Sequence, residues 1–395
     1  MTETPQQAYI SKVHLKGYKS IRDLEIDFKP GLNIIIGPNG SGKTNFLEFL
    51  VAVFSQELNT INTSATIEYF EDEYFQLNYV VEKYKSLKNA TRTIFSLRKN
   101  NEKKAIEDSF ITTPDGQKTF FQRATQEQLI LDWVVMDSRI NFIKYGVERE
   151  FNLLFSHNFS LSINEDGIED AYINNENDFI FNLNLLDIFV EIEGDYINTE
   201  EFRNLCFNQI AIKKELADIL AQFTPIRDLK IDKNKLQIYT TDSTLATVDN
   251  IEVKFKVGGE WLLWTQLSDG TKRLFYLFTS IYTTSESTIA IEEPELGIHP
   301  DQLYKLMDFL KEQSKEKQII ITTHSPDVLN ILGADELDRI IVTKNDNEKG
   351  TIMRKLQAPQ IEKARRYMES AGLFLSDYWV HSDLEAAAYE TEEED

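Results

Sequence analysis

Four short segments bring together residue types that can handle a phosphorylated ligand. The octapeptide Gly37, Pro38, Asn39, Gly40, Ser41, Gly42, Lys43, Thr44 fits the pattern G-x-x-x-x-G-K-[ST]. Its glycines let the backbone curl so that N–H groups face phosphate oxygens, and a helix starting behind it adds a positive dipole end. In such a loop the Lys43 ammonium reaches the β- and γ-phosphates, and the Thr44 hydroxyl faces Mg²⁺. The segment "STIAIEEPELGIHP" ends an apolar run in Glu292 and Glu293. Two consecutive carboxylates can divide the work, one holding hydrated Mg²⁺ and the next orienting an attacking water. A solvated acidic turn is the plainer alternative, and it loses weight beside a phosphate loop. "QLSDGTKRL" sets Ser268, Asp269 and Gly270 at a helix start, another anion site, and "QIIITTHSP" sets His324 at a strand end. Alone, Ser268 reads as an N-cap and His324 as a structural histidine; in this order, with the loop and the carboxylates, they are more specific.

Elements must hold these groups in place. "LNIII" before the loop is an unbroken apolar run, as in a strand buried on both faces, and "KTNFLEFLVAVFS" after it keeps apolar residues at helical spacing. Residues 9–29 alternate in the β manner, and 65–121 read as antiparallel strands. From 122 to 225 the pattern is mainly helical, without heptads that would make a long coiled coil. Strands return at 226, a helix follows from Asp269, and strands and helices then alternate. The prediction is an α/β protein: a P-loop core with an antiparallel β subdomain and a helical insertion. Its parts are an N-terminal lobe at 1–121, the insertion at 122–225, a C-terminal lobe at 226–382 and a tail at 383–395.

Composition narrows the partners. The 395 residues carry a net charge of −23, which weighs against a protein that lives on nucleic-acid phosphates. The tail from Asp383 has seven acidic and no basic residues, and residues 165–195 contain no Lys or Arg. The N-terminus lacks the basic and apolar regions of a secretory signal, and no run of 18 apolar residues could span a membrane. The single cysteine, Cys206, reads as a small buried apolar residue and fits a reducing cytoplasm.

With these motifs in order, the chain resembles the ABC-type ATPases of the RecF and SMC group, closest to the AAA family ATPases allied to the ATPase half of OLD nucleases. "GPNGSGKT" corresponds to Walker A, "TIAIEEPE" to Walker B, "LSDGTKR" to the ABC signature and "TTHSP" to the switch histidine. The resemblance covers about 1–120 and 226–380. It implies ATP and Mg²⁺ as ligands, with Thr44 and Glu292 on the metal, Glu293 polarising the attacking water and His324 at the γ-phosphate. It adds Lys19 and Ser20, from "GYKS", as nucleotide contacts, and it leaves Gln76 and Gln122 as candidates for the Q-loop glutamine. Two departures stand out. Glu292 replaces the usual aspartate, so metal geometry differs and slow turnover is expected, and Asp269 interrupts the usual Ser-Gly-Gly.

The resemblance further implies a homodimer or higher oligomer joined head to tail, each chain covering the other's ATP with its Ser268 segment. The expected role is a sensor or scaffold ATPase controlling a separate effector protein, as in bacterial anti-phage defence, of which PARIS-type ATPases are one example. The alternative is a RecF-like DNA repair ATPase, which the charge disfavours; a membrane transporter subunit is a poor match to "EPELGIHP".

Overall fold

The computed structural model describes residues 8–55, 57–71, 73–99, 106–120, 140–143, 155, 159–164, 167–173, 189, 204, 206, 208–240, 245–371 and 374–382. They fall into two compact units. The first lies within Met1–Lys144, Glu286–Glu295 and Met307–Asp395, the second within Tyr145–Ser285 and Leu296–Leu306.

The first unit is built on a thirteen-stranded sheet with two regimes. In one, Ile340–Asp346, Leu32–Ile36, Gln318–Thr323, Thr288–Glu292 and Ile140–Ile143 run parallel, in that order. Leu32–Ile36, Gln318–Thr323 and Thr288–Glu292 are buried along their whole length, so each reads as a continuous apolar run. In the other regime, Tyr9–Tyr18, Thr63–Glu71, Glu73–Lys83, Thr91–Lys99, Ile106–Thr112 and Lys118–Phe120 pair antiparallel. Here buried and exposed residues alternate, as a sheet with one wet face requires.

The helix Lys43–Phe54 serves both regimes. Phe46, Leu47, Phe49, Leu50 and Val53 lie in one core with Val13, Leu15, Ile67, Leu77 and Phe95 from the antiparallel strands. The same core takes Ile35, Ala290, Ile320 and Ile341 from the parallel ones. Each fully buried Leu or Phe contributes roughly 1.5–3 kcal/mol, so this helix is anchored well beyond its own propensity. At the start of Gln318–Thr323 a buried polar group fixes register. The Gln318 amide donates to the Ile10 and Lys29 carbonyls at 2.9 and 3.2 Å, while its Oε1 accepts from the Ile10 N–H at 2.9 Å and the Thr288 hydroxyl at 3.2 Å.

The second unit holds a four-stranded antiparallel sheet, Gly167–Ile173, Phe159–Asn164, Leu245–Ile251 and Gln237–Thr240. A three-stranded one joins Ile226–Ile231, Val253–Val257 and Glu260–Leu262. Phe155, Phe255, Trp264 and Phe275 pack with ring centroids 5.3–5.8 Å apart. That cluster ties the helix Asp269–Thr283, through Phe275, to the turn that precedes it, through Trp264.

Two differences from the expected organisation have physical causes. Within 122–225, where a mainly helical stretch is expected, the described residues include the strands Ile140–Ile143, Phe159–Asn164 and Gly167–Ile173 beside the helix Lys214–Phe223. Leu161 and Ile163 are buried two residues apart, which is strand periodicity. The 226–382 stretch is divided between the units. The aromatic cluster keeps Asp269–Thr283 in the second, whereas Thr288–Glu292 is held between two strands of the large sheet. Cys206 is buried as expected, and burial pushes its thiol up to about 11. Among the described residues no helix is long and apolar enough to cross a membrane.

Candidate nucleotide site

The loop Gly37–Thr44 links the buried strand Leu32–Ile36 to the helix Lys43–Phe54. Two of its glycines are required by what lies behind them. A Cβ at Gly37 would fall 2.1 Å from the Thr343 carbonyl oxygen, and one at Gly42, where φ is 100°, 2.0 Å from Thr351 Oγ1. Thr351 is itself bracketed by Ser20, hydroxyl to hydroxyl at 2.7 Å and Thr351 N–H to Ser20 carbonyl at 2.9 Å. The Asn45 amide donates to the same Ser20 hydroxyl at 2.7 Å. Ser20 thus supports the loop from behind. Lys19, at φ 48°, forms an ion pair with Glu48 on the helix. Pro38, Asn39 and Gly40 form the exposed tip.

The polar groups of the loop face inward. The Lys43 side chain is 5% exposed, and its ammonium donates to the Gly37 and Pro38 carbonyls at 2.7 and 3.0 Å. The Ser41 hydroxyl is buried with no hydrogen-bond partner among the described residues. The Thr44 hydroxyl donates to Glu292 Oε1, bringing the two predicted metal-holding groups into contact.

Glu292 ends the strand Thr288–Glu292 and is buried. Glu293 follows in a left-handed conformation, φ 44°, held by its N–H to the Thr322 carbonyl at 2.8 Å. A non-glycine residue there costs on the order of 1–3 kcal/mol, strain of the kind that collects at functional sites. The turn aims Glu293 Oε1 between Lys43 Nζ, 3.9 Å away, and His324 Nδ1, 3.3 Å away. Lys43 at a helix start and Glu293 and His324 at two strand ends are therefore brought together.

Glu295 went unassigned in the sequence. Its side chain is 8% exposed. Its Oε1 accepts from the Thr323 hydroxyl and from the His324 N–H at 3.3 Å, and lies 3.6 Å from His324 Nδ1. Its Oε2 is buried with no hydrogen-bond partner among the described residues, and burial holds the carboxyl above the ordinary carboxylate range. The only signal in the sequence was a third acid in "EEPE", with nothing to indicate its partner.

Ser268, Asp269 and Gly270 belong to the second unit. Ser268 caps the helix Asp269–Thr283, its hydroxyl accepting from the Thr271 N–H at 3.3 Å. The Asp269 side chain is fully exposed, its nearest cation Lys272 at 3.8 Å. A Cβ at Gly270 would meet the Gly297 carbonyl at 3.1 Å, so this helix start packs closely on the turn that carries "LGIHP". Gln76 does not join the phosphate loop. Its strand neighbours are Glu68 and Arg98, it accepts from Arg98 at 2.7 Å, and Glu68 pairs with Lys12, at the end of its strand remote from Lys19. Gln122 lies outside the described residues.

A nucleoside triphosphate with Mg²⁺ fits these residues. The loop is a cradle that side chains at Gly37 and Gly42 would disrupt, its buried Ser41 hydroxyl lacks a partner, and hard oxygen donors meet at Thr44 and Glu292.

A family profile described as "AAA domain, putative AbiEii toxin, Type IV TA system" matches residues 32–330. An ATP/GTP phosphatase of Helicobacter pylori is 22% identical over 342 residues, 82% of this chain and 87% of that protein. Septu protein PtuA of Bacillus thuringiensis is 22% identical over 347 residues, 83% of this chain and 74% of that protein. The DNA replication and repair protein RecF of Francisella tularensis is 24% identical over 264 residues, 63% of this chain and 70% of its own. Among solved structures, an Smc head bound to the C-winged helix domain of ScpA superposes with a TM-score of 0.50 at 18% identity. That match covers 90% of this chain and 99% of the other, and it shows a shared fold. The chain belongs to the AAA family that this profile describes, as an ATPase of the RecF/SMC class built on an SMC-head-like α/β core.

Proposed function

We propose that the chain binds and hydrolyses ATP, engages a second copy head to tail through shared ATP sites, and so controls a separate effector protein in bacterial anti-phage defence. One observation carries the catalytic part: Glu293 Oε1 set between Lys43 Nζ and His324 Nδ1 at the mouth of the loop. In this reading Lys43 and the loop N–H groups hold the β- and γ-phosphates, while Thr44 and Glu292 hold Mg²⁺. Bound Mg²⁺ supplies neutralisation of the charge that develops on the phosphate oxygens. Glu293 orients the attacking water and takes up its proton, and His324 stabilises the γ-phosphate. The Ser268 helix start offers its hydroxyl and N–H groups to the nucleotide of the other copy. ATP then favours the engaged state because only that state contacts it from both sides.

The similarity to Septu protein PtuA over most of both chains supports the defence role. A net charge of −23 suits a protein partner better than a phosphate chain. The test is Glu293→Gln: ATP binding is retained, hydrolysis falls by about 10²–10⁴-fold, and ATP-bound dimers or larger assemblies accumulate in light scattering. If no assembly is trapped, the engaged mechanism is wrong.

One surface favours the second reading, DNA binding. Lys230 and Lys256 stand 4.1 and 5.7 Å from the centroid of the Trp261 ring, a basic and aromatic pairing that suits phosphate and base together. Micromolar, steeply salt-dependent binding of single-stranded DNA that Trp261→Ala weakens would move the assignment there.

A further inference from the structure

We propose that Glu295 is the positioning residue for His324, clamping the strand end that carries the histidine to the turn that carries Glu293. The inference rests on the ATPase reading above and assigns that site a further working residue.

The argument starts from what Glu295 touches. One oxygen, Oε1, receives the Thr323 hydroxyl and the His324 backbone N–H, and faces His324 Nδ1 at 3.6 Å. Thr323 also accepts from the Ser325 N–H at 2.9 Å, so the carboxylate reaches the whole turn at 323–325. Two residues earlier, Glu293 is pinned to Thr322 by its own N–H. The turns at 293–295 and 322–325 are therefore joined twice, once at each end, and the Glu293–His324 separation of 3.3 Å lies between the two joints.

The same contacts fix the imidazole. Two carboxyl oxygens face Nδ1, at 3.3 and 3.6 Å, and an ionised carboxylate only accepts, which favours the tautomer with its proton on Nδ1. Nε2 is then the ring nitrogen turned away from both carboxylates, the one available to a ligand.

Burial of Glu295 does not help the fold. A carboxylate oxygen with no partner in the interior is costly, and burial already holds this group above its ordinary range. An apolar residue or an amide would be easier to accommodate. What the carboxylate provides is three contacts to the histidine turn, which only the chemistry of His324 would use.

The test compares Glu295→Ala, Glu295→Gln, His324→Ala and the double variant Glu295→Ala/His324→Ala. Steady-state ATPase kinetics, binding of a fluorescent ATP analogue and ¹⁵N shifts of the His324 ring nitrogens are measured on the full chain. Glu295→Ala lowers kcat by about 10–100-fold and leaves KM and analogue affinity within about threefold, because it removes only contacts that matter in the transition state. Glu295→Gln, which keeps the acceptor oxygen, recovers most of the loss. In the His324→Ala background Glu295→Ala costs less than about twofold, the non-additivity of two groups acting as one. Fully additive losses, or a loss carried by KM, would overturn the proposal. The ring shifts report separately from turnover. His324 shows an Nδ1–H tautomer in the wild type and a mixed one in Glu295→Ala. If the wild type lacks ATPase activity, the ATPase reading fails and the ring shifts alone decide Glu295; unmoved shifts overturn its role.

Discussion

Two helix starts, at Lys43 and at Asp269, are finished to different degrees. The one at Lys43 is locked from all sides: Thr343 and Thr351 fill the space behind its glycines, Ser20 brackets Thr351, Glu292 holds Thr44, and Lys43 is buried against loop carbonyls. The one at Asp269 packs on the Gly297 turn through Gly270 but leaves its first residue open. Ser268 does no more than cap its own helix, and Asp269 extends fully into solvent. A site preorganised by its own chain can be tuned from within, whereas a helix start with an idle N-terminus depends on what another molecule brings to it. This contrast is what the head-to-tail reading uses, and it can be broken by experiment.

The largest effect is expected from complementation. Lys43→Ala abolishes ATP binding, and Ser268→Arg abolishes hydrolysis while ATP binding survives; neither variant hydrolyses alone. Mixed together, they regain activity, because one composite site then has an intact loop and an intact Ser268. Failure to regain activity in a turnover assay would mean that the Asp269 helix start works within its own chain.

A smaller effect sharpens the scaffold side of the comparison. Gln318→Leu leaves the Ile10 N–H and carbonyl without their amide partner in the interior. About 1–3 kcal/mol of unfolding free energy should be lost for each buried group left unsatisfied, measured by urea denaturation. Loss confined to the second unit's transition would contradict the placement of this strand.

The smallest effect concerns pH. The Glu295 carboxyl binds its proton more tightly folded than unfolded, since burial raises it above 4.5. The buried carboxyl therefore costs the fold least below its unfolded value, and the cost grows as pH rises through its higher folded value. Glu295→Gln removes the dependence. Its Tm relative to wild type should therefore climb by a few degrees between the acid side of that window and neutrality, in scanning calorimetry.

The phosphate loop, the paired acids and the histidine were legible because each lies at the end of a short apolar run, and an unbroken run of "III" or "TIAI" reports burial on both faces without reference to the rest of the chain. The alternating antiparallel strands were legible for the complementary reason. What escaped depends on distance along the chain. Ile140–Ile143 is four residues long and, among the described residues, joins the large sheet through Thr288–Glu292, so nothing local marks it. Leu161 and Ile163 lie in a polar stretch whose alternation is too short to outweigh its helix formers. Glu295 takes its meaning from residues 28 and 29 positions away, and Ser20 from Thr351. Gln76 misled because residue type alone does not say at which end of a strand a side chain sits.

Thr351 has one more consequence. It stands directly behind Gly42, and the strand Leu32–Ile36 below the loop has as its two neighbours Gln318–Thr323 and Ile340–Asp346. During synthesis the loop emerges well before the wall it leans on. A nascent chain halted near residue 300 carries the whole phosphate-binding sequence and lacks both flanking strands and the threonine. The folded shape of the loop is thus withheld until both flanking strands and Thr351 have been made.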